Sequence, residues 1–345
     1  MKRTGHLFDE ACAFKSLTAA ALTAARGKKA NPGVALFLWD LENEVIRLEE
    51  ELRARSYRPA AYRTFKIRDP KERTICAADF RDRVVHHALC RVLAPIFERA
   101  LIADTFACRQ NKGPLAAVKR AQGFSRRHHY FLKLDVHKFF DSVDHGVLKH
   151  QLRGKVKDPD LLWLLEVFID HPVPWTERGK GIPIGNLTSQ HFANFHLSGL
   201  DHYIKQDLRI GGYVRYMDDL VLWADEKDTL RDAAARIAGY LRERLALRVK
   251  AGSLLLAPVF QGLPFLGFRV FPGLIRIDRR GWRRFRRKVL AVEGQFHAGE
   301  IDPDARQRRI ASLVGHLQQS QTRNLRAPFF HRPGEQEPPL SLIHI

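Results

Sequence analysis

Apolar residues recur at helical spacing over most of this chain, and short strand-like runs separate the helical stretches. Residues 7–25 read as one Ala-rich helix, with acids early and Arg26, Lys28 and Lys29 following it, which suits a helix dipole. Asn31-Pro32-Gly33 is a turn. Phe37, Leu41, Val45, Leu48 and Leu52 predict a second helix ending near Ser56. Residues 57–77 predict a β-hairpin with arms 62–67 and 73–76, joined through Asp69-Pro70-Lys71-Glu72. Residues 80–100 are helical, and Leu132–Val136 is a short strand. Residues 146–170 are mainly helical, 171–184 are broken by Pro and Gly, and 188–208 are helical again. Two strand-like runs, Gly212-Tyr213-Val214 and Leu220-Val221-Leu222-Trp223, then flank Tyr216-Met217-Asp218-Asp219. An amphipathic helix follows over 226–246, and Phe265-Leu266-Gly267-Phe268 starts a last short β segment. Helical patterns resume at 279 and run to about Arg326, and the Pro-rich, aperiodic residues 327–345 read as a disordered tail. Helices mixed with short antiparallel strands predict an α+β fold.

Charge changes this picture. Lys and Arg number 58 against 38 Asp and Glu, a net charge of +20, so a polyanionic partner is expected, nucleic acid before an acidic membrane surface. The excess is densest in Arg279-Arg280-Gly281-Trp282-Arg283-Arg284-Phe285-Arg286-Arg287-Lys288. Its cations suit phosphates, while Trp282 and Phe285 suit a core more than a stacking platform. Cys12, Cys76, Cys90 and Cys108 have no zinc or disulfide spacing and read as buried free thiols in a reducing cytoplasm. No secretory segment, membrane span, P-loop, Rossmann fingerprint or zinc-protease motif is present. The last five residues, 341–345, resemble a translated sequencing-adaptor read more than native protein.

The candidate chemistry is acidic. Neighbouring side chains of a strand point to opposite faces, so Asp218 and Asp219 can serve one site only from a bend between strands. Such a tip suits a hard cation with oxygen ligands, although a lone Asp-Asp pair is more often only a polar hairpin tip. Asp135, ending the strand Phe131-Leu132-Lys133-Leu134, is the second anchor, and alone it reads equally as a helix cap. Together these acids would form a cage for two Mg²⁺ ions about 3.5–4 Å apart, the arrangement that clamps a phosphoryl displacement.

The motif order then resembles a known family. Lys133-Leu134-Asp135-Val136, Phe139-Phe140-Asp141, Gly185 through Ser189-Gln190, Tyr216-Met217-Asp218-Asp219 and Phe265-Leu266-Gly267 together resemble a reverse transcriptase. The resemblance spans residues 7–326. The finer likeness is to the enzymes of diversity-generating retroelements, on the stretches 80–89, 106–113 and 182–190. It implies a right-hand polymerase fold: an N-terminal helical extension over 1–56, fingers over 57–128, a palm with antiparallel sheet over 129–270 that includes the helix 185–208, and a basic helical thumb over 271–326. It also implies that Asp135, Asp218 and the Val136 carbonyl ligate Mg²⁺, for which Mn²⁺ can substitute, with Asp219 completing the acidic site. Phe140 would exclude a ribose 2′-hydroxyl, and Lys66 and Arg73 would grip the triphosphate. Gly185 and Gln190 would lie against the incoming nucleotide. Ile184 and Asn194 would face the template, with Gln190 and Asn194 sharing one helix face. Arg109 and Lys112 would contact template or nucleotide. Most relatives carry Gln before that Gly and Pro after the Ser. Ile184 and Gln190 stand there instead, as in diversity-generating enzymes, which implies relaxed fidelity opposite template adenine. Lys250 is the nearest basic residue to assist pyrophosphate departure, but the usual lysine position is taken by Ser253.

The implied activity is RNA-directed DNA polymerisation with an RNA template, a DNA or RNA primer and deoxynucleoside triphosphates, in a bacterial, archaeal or phage-encoded cytoplasmic setting with no membrane. The resemblance also implies an accessory variability determinant protein as partner. The rival readings are another prokaryotic reverse transcriptase, of group II intron, retron or defence type, and a non-catalytic nucleic-acid scaffold.

Overall fold

The computed structural model describes residues 5–68 and 72–317. The expected tail over 327–345 and the end of the expected thumb lie outside them. Four helices come first: α1 (Leu7–Cys12), α2 (Phe14–Ala24), α3 (Pro32–Trp39) and α4 (Leu41–Arg53). Each helix expected from periodicity here is divided. Ala13 is extended (φ −57°, ψ 139°), and Asp40 leaves helical geometry (φ −109°, ψ 35°). The first break has a visible cause. Leu7 and Phe8 give their N–H groups to Asp158 Oδ2 at 2.8 and 2.9 Å, which fixes α1 to a distant loop.

The hairpin strands β1 (Arg63–Arg68) and β2 (Glu72–Ala77) follow, then α5 (Phe80–Ala100), capped by Asp79, and α6 (Pro114–Ser125), which the periodicity did not signal. Next come β3 (Tyr130–Asp135), α7 (Phe139–Ser142), α8 (His145–Arg153) and α9 (Pro159–Ile169). The helix expected over 188–208 is α10 (Leu187–His196), then α11 (Ser198–His202), closing in a π turn at Tyr203–Asp207. The chain continues through β4 (Gly212–Tyr216), β5 (Asp219–Ala224), α12 (Lys227–Leu245) and β6 (Leu255–Pro258). It ends in β7 (Leu263–Phe265), β8 (Phe268–Val270), β9 (Ile275–Ile277), α13 (Arg279–His297) and α14 (Pro303–Leu317). Leu266 and Gly267 do not start a strand. With φ of 51° and 83° they form the two-residue tip between β7 and β8.

The central sheet runs β4-β5-β3-β6, with every neighbour antiparallel. Both of its faces are covered. Phe131, Val214, Val221 and Trp223 pack with α6 and the β7–β9 sheet. Leu132, Leu134, Leu220, Leu222 and Tyr213 pack with the long helices. This burial explains why the strands read as continuous apolar runs rather than alternating ones. At the C-terminal end, Phe285 and Val289 of α13 pack with Trp282, Leu313 and Val314, so the aromatics of the basic run serve a small core of their own. Cys12, Cys76 and Cys90 are buried, as expected, but Cys108 is exposed. No helix among the described residues is long and apolar enough to cross a membrane.

His86 and His196 are almost completely buried. His86 Nδ1 lies 2.9 Å from Thr188 Oγ1, and His196 Nδ1 lies 2.7 Å from Gln151 Oε1. Burial holds them far below the usual imidazole value, His86 at about 3 and His196 at about 4. The unfolded chain therefore binds these protons first as pH falls. Their stabilising contribution is complete above about pH 6.5 and is lost on acidification, each costing about 1.4 kcal/mol per pH unit. Urea denaturation at pH 6.5 and pH 4.5 is expected to show a loss of stability whose slope decreases by about 2 kcal/mol per pH unit in a His86→Leu/His196→Leu variant.

Candidate active site

The β3–β5 register sets Asp135 directly opposite Asp219, and the β4–β5 register pairs Tyr216 with Asp219. Met217 and Asp218 are thus the two turn residues of a tight hairpin. Cross-strand partners share a face, so Asp135 and Asp219 leave the sheet on the same side. Met217 has φ 53°, a left-handed conformation that costs a non-glycine residue about 1–2 kcal/mol. Asp218 is raised to about 7, first by burial and then by the negative charge of Asp135, to which its carboxyl is also hydrogen-bonded.

Two ammonium groups offset the acids. Lys133 Nζ lies 3.0 Å from Asp219 Oδ1, and Lys250 Nζ lies 3.4 Å from Asp135 Oδ2. Lys133 had no role assigned from the sequence, while Lys250 was the nearest basic residue considered for pyrophosphate departure. Lys133 shares the Asp219 face because it precedes Asp135 by two residues in a strand. Lys250 is held by its own N–H, which donates to Asp135 O at 2.9 Å. Ser253 packs beside it, its hydroxyl 2.7 Å from Lys250 O and 3.3 Å from Asp135 O.

Among the described residues, no three His, Cys, Asp or Glu side chains are gathered as a metal-ligand group. The donor set nevertheless fits a hard cation. Asp135 and Asp218 are close enough to share a hydrogen bond, and a cation replacing that proton would find two carboxylate oxygens. Val136 pairs with Val249 through bonds made by its neighbours, His137 N to Arg248 O and Lys250 N to Asp135 O. That bridge leaves the Val136 carbonyl outside its ladder. Asp219 is engaged by Lys133.

Around the acids, Phe139 is buried while Phe140 is half-buried, with rings 5.6 Å apart. Cys76 N donates to Ile184 O at 2.8 Å, which docks β2 onto the segment carrying Gly185. Gly185 has φ 122°, and a Cβ there would lie 2.7 Å from Ile75 Cγ2 and 2.8 Å from Cys76 O. Gln190 is half-buried, its Oε1 accepting from Cys108 Sγ at 3.4 Å.

Several expected placements differ. Asn194 does not share an open face with Gln190. It is buried, its amide donating to Ala107 O at 2.8 Å and accepting from Arg215 at 2.9 Å. The i, i+4 spacing was right, but one turn of α10 carries the face from the cleft into the core. Arg109 is also engaged internally, by Glu98 and by the carbonyls of Ile102 and Thr105. Lys112 donates to Ala103 O and lies 4.7 Å from the Phe106 ring centre. Both cations therefore brace the 101–113 loop instead of reaching for template. Lys66 and Arg73 do not converge. Lys66 pairs across with Thr74 and Arg73 with Ile67, so they leave opposite faces of the ribbon. Lys66 is drawn to Glu72 at 2.9 Å, and Arg73 lies on the face of Phe65 and Ile67.

Residues 66–252, more than half of the chain, match the family model described as reverse transcriptase (RNA-dependent DNA polymerase). The chain belongs to the reverse transcriptase family. Membership carries the right-hand polymerase fold, with which the α+β architecture agrees. Group II intron-encoded protein LtrA of Lactococcus lactis subsp. cremoris is 25% identical over 175 residues, 48% of this chain and 29% of LtrA. Protein YkfC of Escherichia coli (strain K12) is 23% identical over 271 residues, 66% of this chain and 71% of YkfC. The chain spans only 16% and 22% of the lengths of two COX1/OXI3 intron proteins of Saccharomyces cerevisiae that it also matches. Among solved structures, apo telomerase from Candida tropicalis has a TM-score of 0.49 at 12% identity, over 66% of this chain and 58% of that one.

The tight docking of Gly185 gives a direct test. Gly185→Ala places a Cβ against a backbone carbonyl that the Cys76–Ile184 bond prevents from yielding. A loss of about 1–3 kcal/mol in urea denaturation is expected, with greater protease sensitivity in the β1–β2 hairpin.

Proposed function

We propose that this chain extends a DNA or RNA primer along an RNA template with deoxynucleoside triphosphates. The observation that carries this reading is the register that sets Asp135 opposite Asp219 beside the Asp218 turn, inside the segment matching the family model. Asp135, Asp218 and the Val136 carbonyl hold divalent cations, Mg²⁺ or in its place Mn²⁺. When bound, such ions acidify the primer 3′-hydroxyl and neutralise the departing pyrophosphate. Lys133 pairs with Asp219 at the edge of the site, and Lys250 stands beside Asp135 as a cation toward the phosphates. The half-buried ring of Phe140, braced by Phe139, closes the space a 2′-hydroxyl would need. Arg73 meets the triphosphate from the inner face of the hairpin, with Lys66 joining only after leaving Glu72. The 57–128 fingers, 129–270 palm and basic 271–326 thumb then enclose the duplex, the thumb through phosphate contacts.

The finer reading is a diversity-generating enzyme that copies a template-repeat RNA with errors opposite adenine, together with an accessory variability determinant protein, in a prokaryotic or phage-infected cytoplasm. It is supported by Ile184 and Gln190. An aliphatic Ile184 beside the template base offers no hydrogen bond to penalise a mismatch, and Gln190 sits next to Cys108 at the same cleft. The second reading, a reverse transcriptase of group II intron type, is favoured by the similarity to LtrA.

Primer extension on a defined RNA template separates these readings. Asp218→Asn is expected to lower extension by about 10³-fold with circular dichroism unchanged. Synthesis that does not depend on Asp218 in either Mg²⁺ or Mn²⁺ would overturn the polymerase reading in favour of a nucleic-acid scaffold. Sequencing the cDNA is expected to show errors concentrated opposite adenine, falling in Ile184→Gln. An even or unchanged spectrum would sink the diversity-generating reading and leave the intron type.

A further inference from the structure

Arg215 is the penultimate residue of β4 and is completely buried. A guanidinium has five N–H donors, and here all five have an acceptor. Nε and Nη2 bind the two oxygens of Asp201 at 2.7 and 2.6 Å. Nη1 reaches Asn194 Oδ1 at 2.9 Å, and Nη2 also reaches Asn194 O at 2.9 Å. The fifth bond runs from Nη1 to Met217 O at 3.1 Å. Asp201 is completed from behind by Tyr213 Oη at 2.7 Å and Thr105 Oγ1 at 2.9 Å.

The fifth bond sets this apart from a core ion pair. Met217 is the left-handed residue of the acidic turn, and its carbonyl belongs to the peptide that leads into Asp218. Fixing that carbonyl fixes the plane of the peptide, and so the direction in which the Asp218 side chain leaves the turn. The same guanidinium grips Asn194, four residues after Gln190 on α10, and the Asn194 amide holds Ala107 O beside Cys108. The acidic turn and the cleft wall at Gln190 and Cys108 are thus referenced to one planar group.

We propose that Arg215 is a positioning residue for polymerisation, holding Asp218 in its working geometry through the Met217 carbonyl and coupling it, through Asn194, to the wall of the nucleotide cleft. This rests on the polymerase reading above. Lys cannot replace the fork, because a single ammonium can pair with Asp201 but cannot also span Asn194 and Met217. The structural part of the network gives the control. Tyr213→Phe and Thr105→Val each remove a bond to Asp201 without touching the turn.

The test uses the full chain in four forms: wild type, Arg215→Lys, Tyr213→Phe and Thr105→Val. Thermal melting is measured beside steady-state primer extension. Arg215→Lys is expected to lower kcat about 10²-fold, as misplacement by about 1 Å does, with KM for the nucleotide changed less than about 3-fold. The two controls are expected to melt earlier but keep kcat within about 3-fold. If the controls lose kcat as much as Arg215→Lys at equal loss of melting temperature, the network is only structural and the proposal fails. If the wild type does not extend primers at all, the polymerase reading fails by itself. Mn²⁺ titration by electron paramagnetic resonance then still decides the positioning role. Weaker Mn²⁺ binding in Arg215→Lys but not in Tyr213→Phe supports it, and equal binding in all forms overturns it.

Discussion

The buried pair between Arg215 and Asp201 is the interaction on which the rest of this structure depends. Removing one partner of such a pair typically costs about 3–5 kcal/mol, because the other charge is left buried without water. A well-packed apolar pair would often be as stable, so the pair is weak evidence for stability on its own. Its value lies in direction. A planar fork with five fixed donors ties β4, α10, α11 and the acidic turn into one orientation. Backbone bonds extend the tie, since Arg215 N donates to Asp104 O and Phe106 N donates to Arg215 O, both at 3.0 Å.

The central sheet converts that rigidity into chemistry. Both faces are covered by core, so ionised side chains can leave it only at the strand ends. Asp135 and Asp219 do so at one end, on the face opposite Arg215, beside the Asp218 turn. Gathering three carboxylates there is costly, and the structure relieves it in two ways. Lys133 and Lys250 lie against the outer acids, and Asp218 takes up a proton well above the usual carboxylate range. Each relief offsets negative charge that would otherwise be crowded at the strand ends.

The segments that carry the remaining motif residues are joined at a few points. The β1–β2 hairpin is docked through one backbone bond and one glycine, which makes Gly185 a junction between the hairpin and α10. The cations expected to serve nucleic acid divide into two kinds. Arg109 and Lys112 are spent on loop carbonyls and Glu98, while Arg73 stays on the ribbon face that carries exposed Phe65 and Ile67.

Much was legible in the chain. The α+β class, the acidic hairpin and the strand ending in Asp135 all follow from local patterning, because side-chain alternation and turn placement are short-range constraints. The order of the motifs indicated the family before any geometry was known. The roles of Arg215, Asp201, Lys133 and Asn194 were not legible. A buried arginine has the same letter as a solvated one, and its partner Asp201 lies on a different element, brought close only by packing. The helix break at Ala13 was hidden for the same reason, since long-range bonds such as those to Asp158 override local propensity. The sequence by itself determined which acids could meet at a turn. Only the tertiary structure decided which charged groups hold them there, because burial and hydrogen-bond direction are properties of the assembled core.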